Sequence, residues 1–315
     1  CEIDIRGEMP FTLSAPNALR LGFWELTLPQ GQRAVVETAP LIDQLETGKL
    51  CYPIVQRNYF GCPKEIDFSA TTASFSHKFF VEEGAGAEEP VYLVMEPGTF
   101  LGKWSLAVNG TVLTEKDFTE KYIYEKHNLV TEVTSLLHTG ENEITASVEV
   151  EVSFGGMRNP LYLFGSFGVE KKGDLWHLTE VKKKGSMENL PACGLPFYYG
   201  EVVYTTELTL PEDGELWKKE VLRISMEADW LTDSVRLVLD GKETKPCAWK
   251  PYVFQVPADW VKPGRNKVQI KVRNTAIGLY EGQFFNREEH QYELVGAQDN
   301  AEDLSGQKWE TPGSL

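Results

Sequence analysis

A run of alternating apolar residues that ends in a tight turn occurs twice in this chain, in the same order and at the same spacing. In the first copy Phe75, His77, Phe79 and Val81 fall at every second position, followed by the apolar stretches 91–96 and 104–110. In the second, Tyr204, Thr206, Leu208 and Leu210 alternate, followed by 221–227 and 235–241. The step from Glu96 to Gly110 equals the step from Glu227 to Gly241. A period of two is what a strand with one buried face requires, because successive side chains point to opposite faces. Asn109-Gly110 and Asp240-Gly241 close these runs. Gly tolerates positive φ and Asn or Asp tolerates the left-handed region, so both dipeptides are turn formers. Gly140-Glu141-Asn142 and Gly264-Arg265-Asn266 form a second turn, each opening another alternating strand.

One module used twice accounts for this pattern. Segments with helical spacing are scarce. The expected fold class is therefore all-β, two tandem sandwiches, each with its own core between antiparallel sheets. A length of 315 residues agrees with two domains. The boundaries expected are lead-in strands and linker from an upstream domain over 1–60, a first sandwich over 61–175, a linker over 176–194, a second sandwich over 195–295 and a fraying tail over 296–315. The lead-in includes the alternating run 23–28, which either ends an upstream domain or adds strands to the first sandwich.

Charge narrows the partners. The formal net charge is −16, which disfavours nucleic acid and anionic membrane surfaces, since both need clustered cations. Lys182, Lys183 and Lys184, with Lys171 and Lys172 nearby, sit among Glu and Gly and read as solvated connector. No apolar run approaches the ~20 residues of a membrane span. The cysteines Cys1, Cys51, Cys62, Cys193 and Cys247 show no CxxC spacing, which argues against a thiolate zinc site. A start at Cys1 suggests a piece of a longer protein, with a lipoprotein start as the alternative. The compartment, cytoplasmic or secreted, stays open.

The stretches 104–110 and 140–144 resemble the sugar-binding jelly-roll domain of glycoside hydrolase family 2, in which a strand ends in Asn-Gly and a Gly-x-Asn step leads into the final strand. The second copy repeats this with Asp240-Gly241 and 264–266. The stretches 159–168 and 194–200 resemble the C-terminal regions of large bacterial glycosidases similar to the α-L-rhamnosidases of family 106. The resemblance implies galactose-binding-like sandwiches, carbohydrate as a ligand, and a catalytic domain upstream on the same polypeptide as partner. It supplies no counterpart of the catalytic barrel, so no catalytic residue carries over. The role implied is a non-catalytic accessory region of a bacterial glycoside hydrolase. A stand-alone carbohydrate-binding or adhesion protein, and a hydrolase with its site at the junction of the modules, are the alternatives.

Sugars stack their apolar faces on aromatic rings. Trp249, Tyr252, Trp260 and Tyr199 are the candidate carbohydrate-binding rings, with the loop residue Arg158 as a polar partner or as an ion-pair partner for a neighbouring domain. The competing role for each ring is to fill the sandwich core. Trp249, flanked by Lys250 and Pro251, reads as the most exposed. Glycoside cleavage needs two carboxylates roughly 5–10 Å apart; Glu201 and Glu281, each beside aromatic residues, are the suggestive acids, with a strand-edge role as the competing reading. No cofactor is expected. A structural calcium near Glu227, Asp229 and Asp233 is one further reading, although calcium takes six to eight oxygens and backbone ligands leave no trace in sequence.

Overall fold

The computed structural model describes residues 7–29, 31, 33–38, 41, 70–86, 89–152, 154–228, 231, 233–286 and, for the backbone, 291–294. Its regular structure is almost entirely strand, with short single-turn helices at connections. The chain divides into two compact units. The larger holds residues 17–180 and the segment from 277 onward; the smaller holds residues 1–16 and 181–276.

A shared strand order runs through both units. In the larger unit one sheet runs Thr71–Val81, Gly140–Val150, Lys103–Val108 and Thr111–Leu113 as neighbours. In the smaller unit the same order is Glu201–Leu210, Gly264–Arg273, Ser234–Leu239 and Lys242–Glu243. Each unit also carries an outer pair from the second sheet: Tyr92–Met95 with Asn128–Glu132, and Val221–Met226 with Tyr252–Pro257. In the larger unit that second sheet grows to five strands, continuing through Leu161–Gly165 to Asn17–Leu21. Pairing is antiparallel except where Leu175–Thr179 runs parallel to the end of Thr71–Val81.

Alternation sorts each strand into core and surface. In the smaller unit Val202, Tyr204, Val235, Leu237, Leu239, Val268, Ile270 and Val272 share one core with Leu222, Tyr252, Phe254 and Val256 of the facing pair. In the larger unit Phe75, Phe79 and Val81 are buried opposite Ala146, Asn142 and Gly140 of the paired strand. Each such side chain contributes about 1.5–3 kcal/mol on leaving water. His77 falls in this apolar series. Its Nδ1 lies 2.7 Å from the Phe23 carbonyl, which can only accept, so Nδ1 carries the hydrogen. Burial lowers the His77 pKa, with the Phe23 bond opposing, and the ring is held neutral.

Both tight turns take the conformation their residues suit. Asn109 and Gly110 have φ of 48° and 82°, and Asp240 and Gly241 have φ of 44° and 88°. Two successive positive φ values are the requirement of a two-residue hairpin loop whose twist matches its strands.

The units cut across the expected boundaries. Met9–Leu13, expected in a lead-in, pairs with Glu201–Leu210 in the smaller unit, Phe11 opposite Tyr204. Phe23–Thr27, from the same lead-in, pairs with Thr71–Val81 in the larger. Lys184–Gly185, expected in a linker, adds to the edge beyond Met9–Leu13. Residues from 277, expected in the second sandwich, belong to the larger unit. The physical reason is that a sheet edge accepts any strand whose apolar side matches its own. Met9 and Phe11 are buried in the smaller unit's core, far from it in sequence. The expected tail over 296–315 lies outside the described residues.

Candidate functional site

The sequence-derived site residues have different surroundings. Trp249 is exposed, at 77% of its full surface. Tyr252 is buried at 1% and its hydroxyl donates to the Leu231 and Asp233 carbonyls at 3.1 and 2.7 Å. This corrects the expectation for Tyr252: a ring with both faces in the core cannot stack on a sugar. Its sequence signal was ambiguous because a strand-borne Tyr serves a core equally well once its hydroxyl finds an acceptor. Trp260 is half-buried and packs against the same core. Tyr199 is half-buried, with the Arg273 guanidinium 5.3 Å from its ring centre. Its neighbours Phe197 and Tyr198 are buried. Arg158 belongs to the larger unit, whereas the four rings belong to the smaller.

Of the two suggestive acids, Glu201 is bound to Arg236, which also reaches Glu243 at 2.6 Å. Lys271 holds Glu243 from the other side at 2.8 Å. Glu201 is thus one end of a charge network on the outward side of a sheet, which is a structural role. For the calcium reading, Asp229 lies outside the described residues and Glu227 is exposed. Asp233 Oδ1 accepts the Thr275 N–H at 3.1 Å, and burial pushes its pKa up to about 6. Among the described residues no group of three or more His, Cys, Asp or Glu side chains comes together as a metal cage.

The densest chemistry stands in the larger unit, on the outer face of its five-stranded sheet. Register places Arg20 opposite Tyr162 and Tyr162 opposite Val94, with Ala18, Phe164 and Tyr92 in the next row. Tyr124 covers this face: its ring centre lies 5.2 Å from Tyr162, 5.7 Å from Phe164 and 5.7 Å from Tyr280. Asn128 fixes the loop that presents Tyr124 by accepting the N–H groups of Ile123, Tyr124 and Glu125. Tyr280 sits on the turn Ile277–Tyr280 and keeps 36% of its surface. Its hydroxyl donates to Glu125 at 2.9 Å, and the Tyr124 hydroxyl donates to Glu96 at 3.3 Å. Asn159 adds a longer contact to the second Glu96 oxygen, at 3.5 Å.

Beneath the rings lies a buried ion pair. Arg20 Nη2 stands 3.3 Å from Glu37, and Arg20 Nε donates to the Tyr280 carbonyl at 3.3 Å. Burial raises the Glu37 pKa, Arg20 opposes it, and nearby Glu281 adds to the rise. So Glu281, the second suggestive acid, belongs to this cluster. Burial likewise pushes Glu96 above the ordinary carboxylate range, with Glu125 adding and the Tyr124 hydroxyl opposing. Burial drives Tyr124 and Tyr280 upward, and Tyr162 to about 12. All three phenols stay protonated donors at neutral pH.

This arrangement presents a part-exposed aromatic ring flanked by fixed carboxylates and an amide, the combination that binds polyols. Sequence reasoning singled out Glu281 but placed it in the second sandwich. It missed Tyr124, Glu96 and Glu125, whose only signal was an Asn capable of gathering three backbone N–H groups four residues after Tyr124. A groove of about 290 Å³ also opens on the outer face of the other sheet, lined by short hydroxyls such as Thr27, Ser74, Ser76, Thr145 and Ser147. Its one aromatic lining residue, Phe75, is buried, and Glu25 is the one titratable group in its lining.

No family model and no curated protein matches the sequence. Among solved structures, the chain is similar to a β-D-glucuronidase of Dictyoglomus thermophilum at 12% identity and a TM-score of 0.33, over 84% of this chain and 42% of that one. It is similar to the β-D-mannosidase of the same organism at 12% identity and a TM-score of 0.33, over 82% and 31%. A GH2 β-galacturonidase from Eisenbergiella tayi, bound to glycerol, matches at 13% identity and a TM-score of 0.29, over 86% and 39%. The chain thus spans well under half the length of these proteins. At such scores the likenesses carry no argument about activity, and the likeness to family 106 rests on the sequence stretches alone. What stands on the structure itself is an all-β protein of two units, one of which bears a largely buried cluster of tyrosines and carboxylates that reaches solvent at Tyr280 and Glu125.

Proposed function

We propose that this chain is a non-catalytic β-sandwich region of a bacterial glycoside hydrolase, which supports a catalytic domain on the same polypeptide and binds carbohydrate at the Tyr280 face of its larger unit. The observation that carries the reading is the pair of hydroxyl-to-carboxylate bonds, Tyr280 to Glu125 and Tyr124 to Glu96, at the edge of an exposed ring. Fixed acceptors beside an aromatic face give a sugar both its stacking surface and its hydroxyl partners without reorganisation. Calorimetric titration with a panel of neutral and acidic glycosides tests it. Binding that is lost in Tyr280→Ala, with the melting midpoint kept, supports the reading. No heat from any glycoside in the panel removes carbohydrate from it.

A second reading is favoured by one feature. Glu96 is held toward its protonated form next to another carboxylate, as the acid of a glycosidase pair is. It predicts aryl-glycoside turnover by this chain that Glu96→Gln abolishes. Absence of turnover by the unaltered chain eliminates it.

A further inference from the structure

Asn109-Gly110 is the one Asn-Gly step in the sequence. Asn is a thermolabile residue, and a Gly after it opens a route to loss of its amide. The Gly nitrogen can attack the Asn side-chain carbonyl carbon, because Gly has no side chain to stand in the way. At Gly110 an added Cβ would meet nothing within 4 Å, and Asn109 is exposed. In this reaction a bond forms from the Gly110 nitrogen to Asn109 Cγ and the Cγ–Nδ2 bond breaks. Nδ2 leaves as ammonia, taking the Gly110 proton. Solvent water then opens the cyclic imide at either carbonyl, giving aspartate or its β-linked isomer.

The folded corner opposes the first step. Ring closure has to turn Cγ onto the Gly110 nitrogen, and both polar atoms of the Asn109 side chain are held by residues 136–143. Oδ1 accepts the Glu143 N–H at 2.8 Å. Nδ2 donates to the Leu136 carbonyl at 2.8 Å and to Asn142 Oδ1 at 2.7 Å, with His138 Nδ1 3.3 Å away. These two donations occupy both amide hydrogens. Asn142, which receives one of them, is itself buried. All three bonds must part before Cγ can turn. The smaller unit shows that the corner also accepts a carboxylate. There Asp240 accepts the Lys267 N–H at 3.1 Å and meets Lys262 at 3.4 Å. Lys262 stands four residues before Asn266, as His138 stands four before Asn142.

We infer that Asn109 is a deamidation site gated by the 136–143 corner. It reacts only in molecules whose corner has opened, and the reaction leaves that corner loosened for good. An aspartate at 109 keeps the bond from Glu143 and loses both donations. The β-linked isomer adds an atom to the backbone of a two-residue loop, which no longer matches the twist of its strands. The inference is independent of the carbohydrate reading.

The test incubates the unaltered chain, folded and in urea, and follows the peptide containing residue 109 by mass spectrometry. Asn109→Asp supplies the chromatographic standard for the aspartate product. The folded chain should lose the amide at least about a hundredfold more slowly than the unfolded one, since only the open fraction reacts. Asn142→Ala, verified as folded by circular dichroism, should lose it at least about tenfold faster than the unaltered folded chain. Hydrogen exchange at the Glu143 amide, which bonds to Asn109 Oδ1, should rise in step with amide loss through a series of sub-denaturing urea concentrations. That series decides alone if Asn142→Ala does not fold. Equal rates in the folded and unfolded chain overturn the gate, as does a folded Asn142→Ala that reacts no faster than the unaltered chain. No amide loss from the unfolded chain overturns the site. Amide loss that ignores the Glu143 exchange places the gate elsewhere and overturns the inference.

Discussion

The Asn109–Asn142 corner of the larger unit and the Asp240–Asn266 corner of the smaller are built by the same hydrogen bonds. Asn142 accepts the His138 N–H at 3.0 Å and donates to the His138 and Gly140 carbonyls at 2.7 and 2.9 Å. Asn266 accepts the Lys262 N–H at 2.8 Å and donates to the Lys262 and Gly264 carbonyls at 2.8 and 3.1 Å. Above them, the Asn109 side chain accepts the Glu143 N–H and the Asp240 side chain accepts the Lys267 N–H. The corners part at the next bond. Asn109 has an amide to give, and donates to Leu136 and to Asn142 at 2.8 and 2.7 Å. Asp240 has none, and meets Lys262 at 3.4 Å instead. The lesson is that the buried Asn and the left-handed turn residue are required by the backbone, while the identity of that turn residue follows its local partners.

The largest expected effect comes from removing the shared element. Asn142→Ala strips four bonds and Asn266→Ala three, three of them shared in kind, from residues 1% exposed. Stranding buried backbone groups costs about 1–3 kcal/mol, so each variant should lose about 3 kcal/mol in denaturant unfolding. The likeness of the two losses, apart from the extra Asn109 bond at Asn142, is the sensitive part. A loss in one and none in the other would mean that the corners only look alike.

A pH titration separates the units next. Asp233, in the smaller unit, has its pKa raised from an ordinary 3.8 to about 6 by burial, with the Thr275 N–H opposing. Its folded form therefore binds a proton more tightly than its unfolded form. Stability from this group is present at low pH and is lost as pH rises from about 4 through about 6. At 1.36 kcal/mol per unit, discounted for partial solvent access, the loss is about 2 kcal/mol. Asp233→Asn should flatten that part of the stability profile. An unchanged slope would show that the carboxyl is better solvated than its surroundings suggest.

The comparison also bears on what a sequence reveals. Period-two alternation, Asn109-Gly110, Asp240-Gly241 and both Gly-x-Asn steps were legible, because each is a local constraint on one backbone segment. The allocation of strands was not. Met9–Leu13 and Phe23–Thr27 carry similar alternation, yet one joins the smaller unit and the other the larger. Nothing local distinguishes them, since pairing depends on which distant edge is open. The tyrosine cluster escaped for the same reason: Tyr280 meets Tyr124 and Glu125 across more than 150 residues. Tyr252 was misjudged because the acceptors of its hydroxyl are backbone carbonyls, which every residue possesses.

Exchanging the turn residues sharpens the comparison at smaller scale. Asn109→Asp keeps the left-handed backbone and the bond from Glu143 but forfeits both donations and sets a carboxylate against the Asn142 oxygen. About 1–2 kcal/mol should be lost. Asp240→Asn forfeits only an ion pair between partly exposed groups, worth about 0.5 kcal/mol or less. Comparable losses in both variants would refute the account of why one corner uses Asn and the other Asp.

The smallest effect on stability belongs to Trp249, and its value lies in choosing between the units. An indole 77% exposed has little packing to lose, so Trp249→Ala should change stability by no more than about 0.5 kcal/mol. A large exposed ring is also the kind of surface that meets a sugar face. Titrating one glycoside panel against Trp249→Ala and Tyr280→Ala in parallel reads the two possibilities on one scale. Affinity that falls only in Tyr280→Ala assigns the saccharide to the larger unit, where fixed carboxylates stand beside the ring. Affinity that falls only in Trp249→Ala moves the site to the smaller unit. Affinity that falls in both would mean that each unit of the duplicated pair kept a binding surface, built on different strands from the same scaffold.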